Sequence, residues 1–138
     1  MDESEAKRIA NVVRQTAYDI HAYHGHGHLE RIYESALVHR LRKRGLLIAQ
    51  QVPIDVLDEG GTPLGRCLID LLVERALIVE IKAARHIAPE HVAQLLGYMK
   101  STRLQHGLLI NFGSYRFEIR KLVASSQSRL NAGNICAF

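Results

Sequence analysis

Two apolar stretches, residues 67–73 and 77–83, are separated only by Glu74, Arg75 and Ala76. Strands rich in Leu, Ile and Val with so short a connection have little choice but to fold back on each other as a tight hairpin. Side chains alternate across a strand. Ile69, Leu71 and Val73 are therefore expected on one face of the first strand, with Leu68, Asp70, Leu72 and Glu74 on the other. In the second strand Leu77, Val79 and Ile81 oppose Ile78, Glu80 and Lys82. A three-residue connection sets Asp70 directly across from Glu80, so that both acids and Lys82 converge on one face. Two carboxylates at about 4 Å repel by roughly 4 kcal/mol at an effective dielectric of 20. A positive group must sit between them. Lys82 is one candidate; Mg²⁺ is the better one, because it takes a few carboxylate oxygens and keeps waters. Such an ion suits attack on a phosphate, with the lysine ammonium stabilising the developing charge. The alternative is a solvated sheet face on which Lys82 merely pairs with one acid.

Around this hairpin the pattern changes period several times. Residues 4–23 repeat Ile9, Val12, Val13, Ala17 and Ile20 at helical spacing. The run HGHGH at 24–28 breaks that helix, and a second follows with Leu29, Ile32, Tyr33, Ala36, Leu37 and Leu41 on one stripe, ended by Gly45. Residues 48–57 alternate as a strand before the turn chemistry of DEGGTP. Pro89 opens a helix over 89–102 whose buried stripe is Val92, Leu95, Leu96 and Met99. Residues 108–112 and 117–123 read as two more strands. The order helix, helix, three strands, helix, two strands predicts an α/β protein, a mixed sheet flanked by helices. One domain over residues 1–123 is expected, with a loose polar tail at 124–138.

A net charge of +4, from 18 Lys and Arg against 14 Asp and Glu, favours polyanionic partners. The start MDESEAKRIA has no apolar core of a secretory signal. The apolar region 64–84 is cut by six charged residues, which excludes a membrane span. A cytoplasmic location is expected, with Cys67 and Cys136 as reduced, incidental thiols.

GHLERIY at 27–33 fits G-x-x-E-x-x-Y, and YESAL at 33–37, LIDLLVE at 68–74, LIVEIKA at 77–83, AQLLGYMK at 93–100 and GLLINFG at 107–113 follow in order. Together these blocks, over residues 8–122, resemble the GxxExxY proteins, a family of small bacterial and archaeal proteins assigned to the PD-(D/E)XK nuclease superfamily. The resemblance implies an αβββαβ core with an extra N-terminal helix. It implies that Asp70 and Glu80 bind Mg²⁺ or Mn²⁺, that Lys82 is the catalytic lysine, and that Glu30 completes the metal shell or holds its water. Glu34, one helical turn on, shares that face and is geometrically equivalent. Gln94 and Tyr98 resemble the Q-x-x-x-Y pair of related nucleases, where amide and phenol position a phosphate; Tyr98 reads equally as a half-buried aromatic anchor. The implied activity is metal-dependent hydrolysis of phosphodiesters in DNA or RNA. A catalytically silent nucleic-acid-binding module and a protein-interaction subunit are the rivals, and a homodimer or another protein partner stays open. The chain departs from the family's pattern at His26 and His28, and at Gly97, which leaves a weaker helix beside Gln94.

Two further clusters stand out. His21, His24, His26 and His28 read as a flexible solvated loop rather than a zinc site, because no Cys or acid at ligand spacing completes the set. Arg40, Arg42, Lys43 and Arg44 either grip phosphates or simply favour the C-terminal end of a helix dipole.

Overall fold

The computed structural model describes residues 1–124 and 135–137. The chain runs α1 (Glu3–His24), α2 (Glu30–Lys43), β1 (Ile48–Leu57), β2 (Pro63–Val73), β3 (Leu77–Lys82), α3 (Pro89–Thr102), β4 (His106–Asn111), β5 (Glu118–Ala124) and β6 (Ile135–Ala137). The strands form one sheet in the order β1-β2-β3-β4-β5-β6. Every neighbouring pair is antiparallel except β3 and β4, which α3 joins in parallel. This is the mixed α/β architecture expected from the order of elements.

Packing divides by sheet face. The buried stripes of α1 and α2, including Ile9, Val13, Ile20, Leu37 and Leu41, cover Leu71, Val73, Val79, Ile81, Leu108 and Ile110. On the opposite face Leu95 and Met99 of α3 cover Ile69, Ile78, Leu109 and Leu122. The two-sided burial explains why Leu77–Val79 of β3 and Leu108–Ile110 of β4 are consecutive apolar residues rather than alternating ones. At Gly107 the α3 side chains pack close to the strand: a Cβ there would meet the Met99 sulfur at 2.9 Å, and Met99 would have to shift.

The expected alternation in β2 is overturned. Ile69 does not share a face with Leu71 and Val73; it packs in the α3 cluster while they pack under α1 and α2. The same switch occurs in β1, where Ile48 lies under the first two helices and Val52 and Ile54 lie against α3. Between them Gln51 takes the left-handed conformation, φ 49, and the rungs recorded on either side are Gln50↔Leu71 and Val52↔Ile69. Asp70 is the residue left opposite Gln51. A left-handed residue inside a strand breaks the pleat, so strict alternation fails at this rung.

Ile135–Ala137 pairs with β5, so that part of the expected loose tail is a short strand; residues 125–134 and 138 lie outside the described residues, as does the side chain of Cys136. Cys67 is a free thiol. Among the described residues no helix is long and apolar enough to cross a membrane.

Candidate metal centre

The β2–β3 hairpin turns through Glu74 and Arg75, whose φ values of 51 and 58 give the left-handed geometry that matches strand twist. The Ala76 amide closes the turn on the Val73 carbonyl at 3.0 Å. From there the ladder runs Val73↔Leu77, Leu72↔Ile78, Leu71↔Val79 and stops. One step further the register sets Asp70 opposite Glu80, and the two side chains take over from the backbone. The Asp70 N–H donates to Glu80 Oε1 (3.0 Å), and the Ile81 N–H donates to Asp70 Oδ2 (2.8 Å). The acids thus bridge the point at which the strands part.

Their electrostatics are unfavourable. Glu80 is only 3% exposed; burial, and next the neighbouring Asp70 charge, push its carboxyl up to about 8. Lys82 pulls the other way, and its ammonium donates to Gln94 Oε1 at 2.8 Å, which holds it beside the acids.

Glu30 opens α2 and is brought to the same place. Partial burial and the Asp70 charge raise its pKa, while Lys82 and the Ala83 backbone amide oppose that rise. The G-x-x-E-x-x-Y spacing has a mechanical reading here. Gly27 takes φ 113, a conformation that favours glycine. Tyr33, fully buried and stacked on Phe112 at 4.6 Å, reaches back to the loop. Its hydroxyl donates to the Gly25 carbonyl (2.6 Å) and accepts from the His28 N–H (3.1 Å). The loop before Glu30 is thereby clamped, which fixes where the helix starts.

Glu34 is engaged differently. It accepts from Gln50 (3.1 Å) and from Gln51 (2.9 Å), and Gln51 reaches on to Asp70 Oδ1 at 3.3 Å. Gln51 is a site residue that sequence reasoning missed; nothing in a strand-like QQVPIDV marks a left-handed glutamine. Asn111 is the second. It is fully buried and clamps Ala84 from both sides, donating to its carbonyl and accepting its N–H, each at 2.9 Å. Gly113 lies so close to the Ala83–Ala84 backbone that a Cβ would approach it at 2.4 Å. Both hold the chain as it leaves Lys82, and a polar residue inside the apolar run of GLLINFG was the available signal.

Tyr98 is half-buried in the α3 cluster and also faces the acids: burial first, then Glu80, raises its phenol, and Gln94 pulls the other way. Anchor and site residue are one and the same here. Arg40, Lys43 and Arg44 are not brought together with the acids. They cap the far end of α2, a helix of 14 residues and so about 20 Å long, away from Glu30. The histidines likewise correct the loop expectation: His21 and His24 belong to α1, and His21 bonds the Ser114 carbonyl at 2.8 Å.

Asp70 Oδ1 and Glu80 Oε2 retain lone pairs after the backbone contacts are made. Among the described residues no three His, Cys, Asp or Glu side chains are arranged to enclose an ion. Two carboxylates with Glu30 nearby suit a hard cation that keeps most of its waters, and its charge would relieve the repulsion that lifts Glu80. The donor set fits magnesium and does not fit zinc.

A family model of the PD-(D/E)XK nuclease superfamily matches residues 7–122. No curated protein and no solved structure shows significant similarity to the chain.

Proposed function

Since the chain belongs to the PD-(D/E)XK nuclease superfamily, we propose that it hydrolyses phosphodiester bonds in nucleic acid with a divalent ion held by Asp70 and Glu80. Within the superfamily we place it among the GxxExxY proteins, on the strength of GHLERIY and the blocks that follow it. The observation that carries the activity is the cross-strand exchange between Asp70 and Glu80, with Lys82 held alongside by Gln94.

When bound, the ion supplies Lewis-acid assistance and neutralises phosphate charge. The rest falls to the chain. Asp70 and Glu80 offer the coordinating oxygens, and Glu30, electrostatically coupled to Asp70 from α2, would hold a water of the ion. Lys82 places a positive charge where negative charge grows on a phosphate under attack. Gln94 fixes that ammonium, and Tyr98 presents a phenol beside it. Asn111 and Gly113 hold the backbone that follows Lys82.

Labelled DNA and RNA incubated with Mg²⁺ or Mn²⁺ test the reading. Wild type is expected to cut, while Asp70→Asn and Lys82→Ala lose activity by at least about a hundredfold, the scale of removing one charge-stabilising group. Cutting that survives both substitutions would remove this site from consideration.

One observation favours a second reading, a nucleic-acid-binding module without turnover: both acids already satisfy backbone amides, and no third ligand closes on them. Salt-dependent binding with no cleavage in either metal would select it.

A further inference from the structure

A groove of about 980 Å³ lies between α1 and the outer edge of β5. β5 pairs with β4 from Glu118 to Val123, yet on its other side it meets β6 only from Leu122 onward. Among the described residues no strand is paired to Glu118–Arg120 on that side. Arg116 and Arg120 line the groove, both exposed. The acid among them, Glu118, is engaged by the Asn111 amide at 3.0 Å. Tyr18 from α1 and Tyr115 from the preceding loop line the same groove, 53% and 83% exposed. Their outer contacts are edge-on, Tyr18 to Phe117 at 5.7 Å and Tyr115 to His26 at 6.0 Å. Rings so exposed gain little from packing, and each keeps a face on which another ring can lie.

The groove lies at β5, two strands from β3, which carries Glu80. Ile87, in the loop between Lys82 and α3, lines it. Asn111 joins the two regions, since it clamps Ala84 on one side and reaches Ser114 and Glu118 on the other.

We propose that this groove holds a single-stranded stretch of nucleic acid, with phosphates on Arg116 and Arg120 and bases stacked on Tyr18 and Tyr115. It is a second contact for the polymer whose phosphodiester the acidic site cuts, and so rests on that reading. Cations along a groove with exposed aromatic faces are what a sequence-tolerant single-strand binder needs. An acidic peptide adding a strand at the β5 edge would use the arginines and leave both tyrosine faces idle.

Binding of a fluorescein-labelled dT oligomer to full-length Asp70→Asn protein in EDTA, followed by anisotropy over a range of KCl, separates these cases. Arg116→Ala/Arg120→Ala is expected to weaken binding tenfold or more. It should also flatten the slope of log affinity against log salt by about 1.4, two phosphate contacts at about 0.7 each. Arg116→Lys/Arg120→Lys should restore most of that slope. Tyr18→Ala/Tyr115→Ala should weaken binding with the slope kept. Unchanged melting curves accompany each variant if these exposed residues act on the ligand alone. Affinity and slope unmoved in the arginine double variant would overturn the proposal, as would tight binding of poly-glutamate with none of the oligomer. Wild type that binds through these residues yet leaves the oligomer intact in Mg²⁺ and Mn²⁺ upholds the groove while the nuclease reading falls. Wild type that cuts, beside an arginine variant that binds and cuts identically, sinks the groove and spares the nuclease.

Discussion

Tyr33 shows how a residue remote from the chemistry sets it. Its ring is buried against Phe112, and its hydroxyl is shared between the Gly25 carbonyl and the His28 N–H. Tyr33→Phe keeps the stack and removes both bonds, leaving two backbone groups of the loop before Glu30 without their partner. Loss of such hydrogen bonds typically costs about 1–2 kcal/mol, which a denaturant melt would measure as a lower midpoint with unchanged slope. Because Glu30 begins the helix that this clamp positions, cleavage should fall further than stability alone explains at temperatures where the variant is fully folded. Wild-type cleavage by folded Tyr33→Phe would show that the clamp serves the fold only. The tyrosine was legible in the sequence as part of G-x-x-E-x-x-Y; what it holds was not, because its partners are backbone atoms with no sequence signature.

Among the elements, those with a strong local signal were read at their observed limits. β1 over Ile48–Leu57 alternates, and α3 over Pro89–Thr102 begins at a proline suited to a first helical turn and carries a helical stripe. β2 begins four residues before its expected start because PLGR has no strand propensity of its own; it extends only because β1 pairs with it across the long hairpin. The acids themselves could be placed opposite each other from loop length, since the turn fixes the register of everything beyond it. The failure at Ile69 has a different origin. Counting alternation assumes an unbroken pleat, and Gln51 breaks it at the rung that holds Asp70. The irregularity therefore sits where the site is built, and regular-strand arithmetic could not foresee it. α3 permits a direct test of local propensity. Gly97 lies mid-helix, is exposed and has no atom within 4 Å of where a Cβ would stand. Gly97→Ala should stabilise the protein by up to about 1 kcal/mol, seen as a higher thermal midpoint. If cleavage also falls, helix flexibility beside Gln94 is used in turnover.

For the molecule as a whole, stability, protons and metal are linked through the gap between β2 and β3. The backbone ladder ends at Leu71↔Val79, and beyond it two acids are held close with one of them buried. In the unfolded chain Glu80 titrates near 4.5, whereas in the fold its pKa is raised to about 8. The folded state consequently binds more protons between those values. The stability that Glu80 contributes is fully present below about pH 4.5 and is lost as pH rises through about 8. A divalent ion competes for the oxygens that the proton occupies, so it should bind more tightly in the range where that contribution is lost. At about pH 8.5 and a Mg²⁺ concentration near 100 times Kd, linkage gives about 2.7 kcal/mol, on the order of 10 °C in thermal midpoint for a chain of this size. At about pH 5 the same Mg²⁺ should do little, since protonated Glu80 offers no charge. Glu80→Gln keeps an oxygen for the Asp70 N–H and removes the titration; it should melt higher than wild type at high pH without metal, match it at low pH, and lose the Mg²⁺ response. Equal Mg²⁺ shifts at both pH values, or a shift that persists in Glu80→Gln, would mean that the ion binds elsewhere and that the strained pair is not its site.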